Sequence, residues 1–258
     1  MYCLIVQGSQ RPGVLNPQER DAVSDLEAKE TMNRMFGGGV QIPVDAPLPV
    51  ITIMRESAQF EMPDGRYEKT FTGHILHWHN ANQYYEKPYG EGDSHAPDCC
   101  SSDGLKPDGG QFPQEGLCCD CDMNRWGSGK DGYGKACQNT IRLYVLTDGE
   151  VIPSVLKAPP SSLGPKDALM RWLTSAPNTA ARAGAGTNYQ PIQVKFSLRK
   201  KEFASGLTAS IVQVETVRVI DIAADAEKLQ QLGGLYGDFM ANYMGRVKAD
   251  VATESTKA

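Results

Sequence analysis

The sequence predicts a mainly β protein: a five-stranded OB-fold barrel, with a long cysteine-rich loop inserted between the second and third strands and a helix after the last. Three observations carry this expectation. Five stretches are rich in β-branched and aromatic residues and are bounded by turn residues. A helical pattern falls between the third and fourth of them, where an OB-fold places its helix. Between the second and third, periodicity is lost, and six of the seven cysteines fall between positions 99 and 137.

Residues 1–44 read as an N-terminal arm. Pro17 to Met35 predicts a helix, with Asn16 as N-cap, Pro17 at the first helical position and Gly37, Gly38 and Gly39 as the stop. The barrel domain covers 45–223. Its first strand is Pro49 to Arg55, followed by a turn at Asp64-Gly65. Its second strand runs from Lys69 to His79, and the insertion spans about 88–137. The third strand is Thr140 to Leu146, closed by Asp148-Gly149. A helix follows at Lys166 to Thr174, where Leu169, Trp172 and Leu173 share one face. A loop is expected from Ala176 to Gln190. Ile192 to Phe203 and Leu207 to Ile222 then form a hairpin about Ser205-Gly206. The segment 224–258 holds a helix from Ala224 to Val247 and a disordered tail. Leu229, Leu232, Tyr236, Phe239, Met240, Tyr243 and Val247 make the apolar stripe of that helix.

The formal net charge of −5 argues against a protein that coats duplex DNA through bulk positive charge, while leaving room for a local basic groove. No run of about 18 apolar residues offers a membrane span. The N-terminus lacks the basic start of a secretory signal, so the chain reads as cytoplasmic. In a reducing compartment, clustered cysteines point to metal or to unpaired thiols rather than to disulfides. Cys3, remote from the cluster, reads as an unpaired thiol.

The spacing Cys99-x18-Cys118-x2-Cys121-x15-Cys137 contains one C-x-x-C knuckle and two outlying cysteines. Four soft thiolates suit a closed, structural Zn2+ site, and zinc binding energy can order a loop that has no apolar core. Cys100 and Cys119 are adjacent alternatives, and His95 is a substitute ligand. A catalytic zinc would need an open position and a nearby base. The H-x-E signature of zinc deaminases is absent, as are the phosphate-cradling and nucleophile-elbow motifs. No enzymatic activity is expected.

Single strands are bound by aromatic rings that stack on bases and by cations that meet phosphates. On the third strand Arg142 and Tyr144 alternate with Ile141, Leu143 and Val145, so both should project outward. Trp78 and three histidines lie on the second strand. Lys195, Arg199 and Lys200 alternate with or follow the inward set of the fourth, and Lys135 sits in the cysteine loop with Lys130. Trp78, Lys135, Arg142, Tyr144, Lys195, Arg199 and Lys200 are therefore the candidate nucleic-acid contacts.

The runs PDCCSSDGLKPD, CCDCDMNRWGSG, GKACQNTIRLYVL and PPSSL resemble a group of phage-encoded single-stranded DNA-binding proteins. That group has the approximate pattern C-x-S-x-D-G, C-x-x-C-P-x-N-x-x-G-S, G-K-A-C-K-N, P-P-[ST]-S. PVITIMRESAQFEMPDG is similar to its first strand and turn. The resemblance covers roughly residues 45–220. It implies an OB-fold with a zinc insertion. It puts the first ligand at Cys99, since Ser101, Asp103 and Gly104 then fall in register, followed by Cys118, Cys121 and Cys137. It implies single-stranded DNA and proteins of phage replication or recombination as partners. Asp122 stands where the group has Pro, and Gln138 where it has Lys. A protein that uses a zinc-stapled loop to dock a protein partner is the alternative from another class.

Overall fold

The computed structural model describes residues 48–54, 57–86, 97–110, 116–203, 206, 208–221 and 225–243. The expected helix at Pro17–Met35, Cys3, His95 and the C-terminal tail lie outside these residues.

The chain is mainly β. Its strands are β1 (Val50–Met54), β2 (Gln59–Glu61), β3 (Tyr67–Glu68), β4 (Thr70–Tyr84), β5 (Cys99–Ser101), β6 (Gly109–Gly110), β7 (Gln138–Thr147), β8 (Ser154–Ala158), β9 (Ile192–Glu202) and β10 (Thr208–Val219). Among the described residues two α-helices accompany them, α1 (Ala168–Arg182) before β9 and α2 (Ala226–Tyr243) after β10. The main path of the sheet runs β10-β9-β4-β7-β8-β1-β2-β3, and the small strands β5 and β6 extend from the far end of β4.

The five expected strands are present as β1, β4, β7, β9 and β10, but among the described residues they do not close into a five-stranded barrel. In its place is a curled, open sheet. The physical reason is β8, whose short sequence SVLKA gives little strand signal. It pairs antiparallel with β7 and takes the edge that a closing strand would need. β1 then pairs in parallel with β8, at Val50↔Val155 and Ile51↔Leu156. The turn at Asp64-Gly65 joins β2 to β3, with Gly65 at φ 82° and its N–H donated to the Met62 carbonyl.

The curl can be measured from three rings. Phe60 on β2 lies four strands from Phe71 on β4, about 19 Å apart across a flat sheet. Their centroids are 4.9 Å apart and edge to face, and Phe71 stacks on Phe196 of β9 at 4.7 Å. The sheet therefore bends until its β1–β2 end meets its middle. The main core fills the bend. Ile75, Ile141, Leu143, Val145, Leu156, Val194 and Val212 line it, and Leu169, Trp172, Leu173, Ala176 and Ala180 of α1 close it.

α1 runs eight residues past the expected end at Thr174. Pro177 lies inside it and costs one backbone hydrogen bond. The helix continues because Ala176 and Ala180 are buried against the core, and the run from Thr179 to Arg182 favours helix. The loop expected from Ala176 thus begins only after Arg182.

The opposite face of the sheet is also covered. Leu232 of α2 packs with Leu76, Leu146 and Ile220, and Phe239 packs with Tyr144, Val155 and Leu48. Leu229, Tyr236 and Met240 of the expected stripe lie against the same clusters. The side chain of Tyr243 and all of Val247 lie outside the described residues. No helix among the described residues is long and apolar enough to cross a membrane.

Candidate functional site

The cysteine insertion folds as a lobe at the far end of β4. The last residues of β4 make its floor: Tyr84 pairs with Cys99 and Gln83 with Cys100. Beyond Cys100, Asp103 accepts the N–H groups of Leu105 and Lys106, and the Leu105 carbonyl accepts the N–H of Cys118. The knuckle follows. A 3-10 turn at Asp122–Asn124 begins directly after Cys121, and the Asn124 side chain donates to the Cys118 carbonyl at 2.7 Å. The N–H of Cys137 donates to the Met123 carbonyl at 2.8 Å, which returns the chain to the knuckle before β7 begins.

Three segments separated in sequence thus bring Cys99, the Cys118–Cys121 knuckle and Cys137 to one cavity of about 140 Å³. Tyr84, Met123 and Asn124 complete much of its wall. All six described cysteines are free thiols. Burial pushes the Cys99 thiol up to about 11, and Cys118, Cys100 and Cys121 add to the shift. Burial pushes Cys137 up to about 12, again with Cys118, Cys121 and Cys99 contributing. Cys100 also lines the cavity, yet its rise comes from burial and from Asp108, and it packs beside Ala81. Cys119 is exposed and does not line the cavity. Among the described residues, no three His, Cys, Asp or Glu side chains form a ready-made ligand cage. The donor chemistry fits a soft cation: four clustered, largely buried cysteines would share their thiolate charge with a divalent ion at their centre.

The expected nucleic-acid contacts are not one surface. Arg142 and Tyr144 do leave the strand opposite to Ile141 and Leu143, as alternation requires, but that face is a second core. Arg142 is 1% exposed and Tyr144 0%. The Tyr144 ring lies 4.9 Å from Phe239 of α2, and its hydroxyl is 3.0 Å from His79 Nε2. The expectation that both project into water is therefore corrected. Trp78 is half-buried against the main core. A bulge between Ile75 and His77 sets this arrangement, placing Leu76, His77 and His79 on the α2 face and Trp78 on the core face.

Lys195, Arg199 and Lys200 are exposed on β9. Lys195 lies opposite Glu215, and Arg199 is 3.9 Å from Asp167. Lys135 is exposed on the cysteine lobe, where it donates to Asn124 at 3.0 Å. β9 meets the start of β4 at Thr70↔Ser197, whereas the lobe meets its end. Roughly 45 Å of strand separates the two groups.

Two residues missed in the sequence stand out on the lobe. Trp126 is 82% exposed and Tyr133 79%. Arg125, Lys130 and Lys135 are exposed around them. The signal was available: a Trp and a Tyr set among Gly, Ser and Lys, with no apolar neighbours at helical or strand spacing, have no core to enter.

Comparison of the chain with protein families, with curated proteins and with solved structures finds no match in any of the three.

Proposed function

We propose that this protein binds single-stranded DNA and that a structural zinc ion staples its cysteine lobe. The observation that carries the proposal is the convergence of Cys99, Cys118, Cys121 and Cys137 on one cavity. It is the same quartet that the resemblance to phage single-stranded DNA-binding proteins implies. The zinc would be held by those four thiolates and would supply folding energy rather than chemistry. The exposed cations of the lobe and of β9 support contact with phosphates. The curled sheet supports a distant relation to OB-type binders, which also use an open strand surface. The protein would act in the cytoplasm of a phage host during replication or recombination, without enzymatic activity of its own.

The test has two arms. Elemental analysis of purified protein should find about one zinc per chain. Titration against labelled single-stranded and duplex oligonucleotides at several salt concentrations should show preference for the single strand, with affinity falling as salt rises. Equal affinity for both forms, or none for either, leaves the alternative of a zinc-stapled adaptor that docks a protein.

A further inference from the structure

We propose that Trp126 and Tyr133 are a base-stacking pair through which the cysteine lobe holds unpaired bases of single-stranded DNA. The inference rests on the single-strand reading above and moves its centre from the sheet to the lobe.

The two rings are among the most exposed large apolar side chains of the described residues. Water solvates such rings poorly, so a partner with a flat apolar face gains from covering them. Their backbones are held close together. Gly127 donates its N–H to the Gly134 carbonyl at 2.6 Å, which ties together the residues next to each ring. Ser128 Oγ lies 2.8 Å from the Met123 carbonyl and 2.7 Å from the Arg125 carbonyl, and it accepts the Ala136 N–H at 3.0 Å. Gly129 passes so near the Tyr133 carbonyl oxygen that any Cβ there would collide with it. Trp126 and Tyr133 therefore stand on a pinned loop whose arms are held before a ligand arrives, which lowers the entropy cost of binding.

The cations of the loop select the partner. Arg125, Lys130 and Lys135 are exposed, and the acids of the same stretch are Asp122 and Asp131. Asp122 is already paired with Arg125 at 3.0 Å. Asp120 precedes the stretch and balances its charge, so what the rings have beside them is two cations outside that ion pair, Lys130 and Lys135, rather than a net positive field. Aromatic faces beside cations match nucleobases beside phosphates. Duplex DNA keeps its bases stacked on one another, so the rings discriminate by strandedness.

Anisotropy titrations of a labelled oligothymidylate against the full chain test the pair. Trp126→Ala and Tyr133→Ala should each weaken binding about 10- to 100-fold. Trp126→Phe should retain most of the affinity, since any aromatic face can stack. Melting temperatures should match the parent, because the rings bury little. If the parent prefers single strands and the alanine variants bind equally well, the pair is overturned and the single-strand reading stands. If the alanine variants instead lower the melting temperature, the rings are structural and the inference fails. If the parent itself does not prefer single strands, the reading and the pair fall together.

Discussion

Tyr144 shows how much one side chain's surroundings decide. Its ring is fully buried between the sheet and α2, and its hydroxyl meets His79. Removing a buried aromatic leaves a cavity that neighbours fill only in part, at a cost of about 3–5 kcal/mol. Tyr144→Ala should therefore lower the melting temperature sharply, while affinity for single strands at the folded temperature stays near that of the parent. Thermal unfolding and DNA titration of the same variant check this. Unchanged melting with weakened binding would return Tyr144 to the interface. Alternation along β7 was readable from the sequence, and it is correct. What it could not show is that both faces of the strand are buried, because the second cover comes from a helix some ninety residues further along the chain. The approach of Cys118, Cys121 and Cys137 to one cavity was more legible, since the spacing of a knuckle is local and the return of Cys137 needs only the short loop after it.

At the scale of elements, the α2 layer covers a strand face that carries His74, His77 and His79. Burial is the first cause of a lowered pKa in each. Lys228 adds to the effect at His74, His79 at His77, and Arg142 at His79. An unfolded histidine titrates near 6.5. The unfolded chain therefore takes up protons in a range where the folded chain does not, and stability falls as pH drops through about 6.5. The loss continues down to the folded values. Carboxylates titrate near 4, so the interval from about pH 7 to 5.5 isolates the histidines. Melting temperature should be level above about pH 7.5 and decline through that interval; a flat profile there would show that these rings do not resist protonation. The strands of this layer were partly hidden in the sequence for a related reason. The bulge after Ile75 resets the alternation of β4, so His74 and His77 share a face despite odd spacing.

For the molecule as a whole, the strand inventory was readable and the pairing was not. β9 and β10 announce themselves because a turn joins them directly. β8 has five residues, and its partners are the strand just before it and one roughly a hundred residues earlier. That feature governs the order in which the molecule assembles. Val50 meets Val155, roughly a hundred residues away along the chain, while β9 and β10 meet across a handful. Closing the longer loop costs about 2.5 kcal/mol more in chain entropy. The hairpin can form early, and the parallel pair must wait for contacts that shorten the path between its strands. The cysteine lobe lies on that path, so a lobe that orders first acts as a clasp drawing the two strands within reach. Pulse-labelled hydrogen exchange during refolding should protect amides of β9 and β10 before that of Val155, which donates to the Pro49 carbonyl at 2.8 Å. Protection of Val155 in the earliest phase would mean that the slow closure described here is not the last event in the birth of this fold.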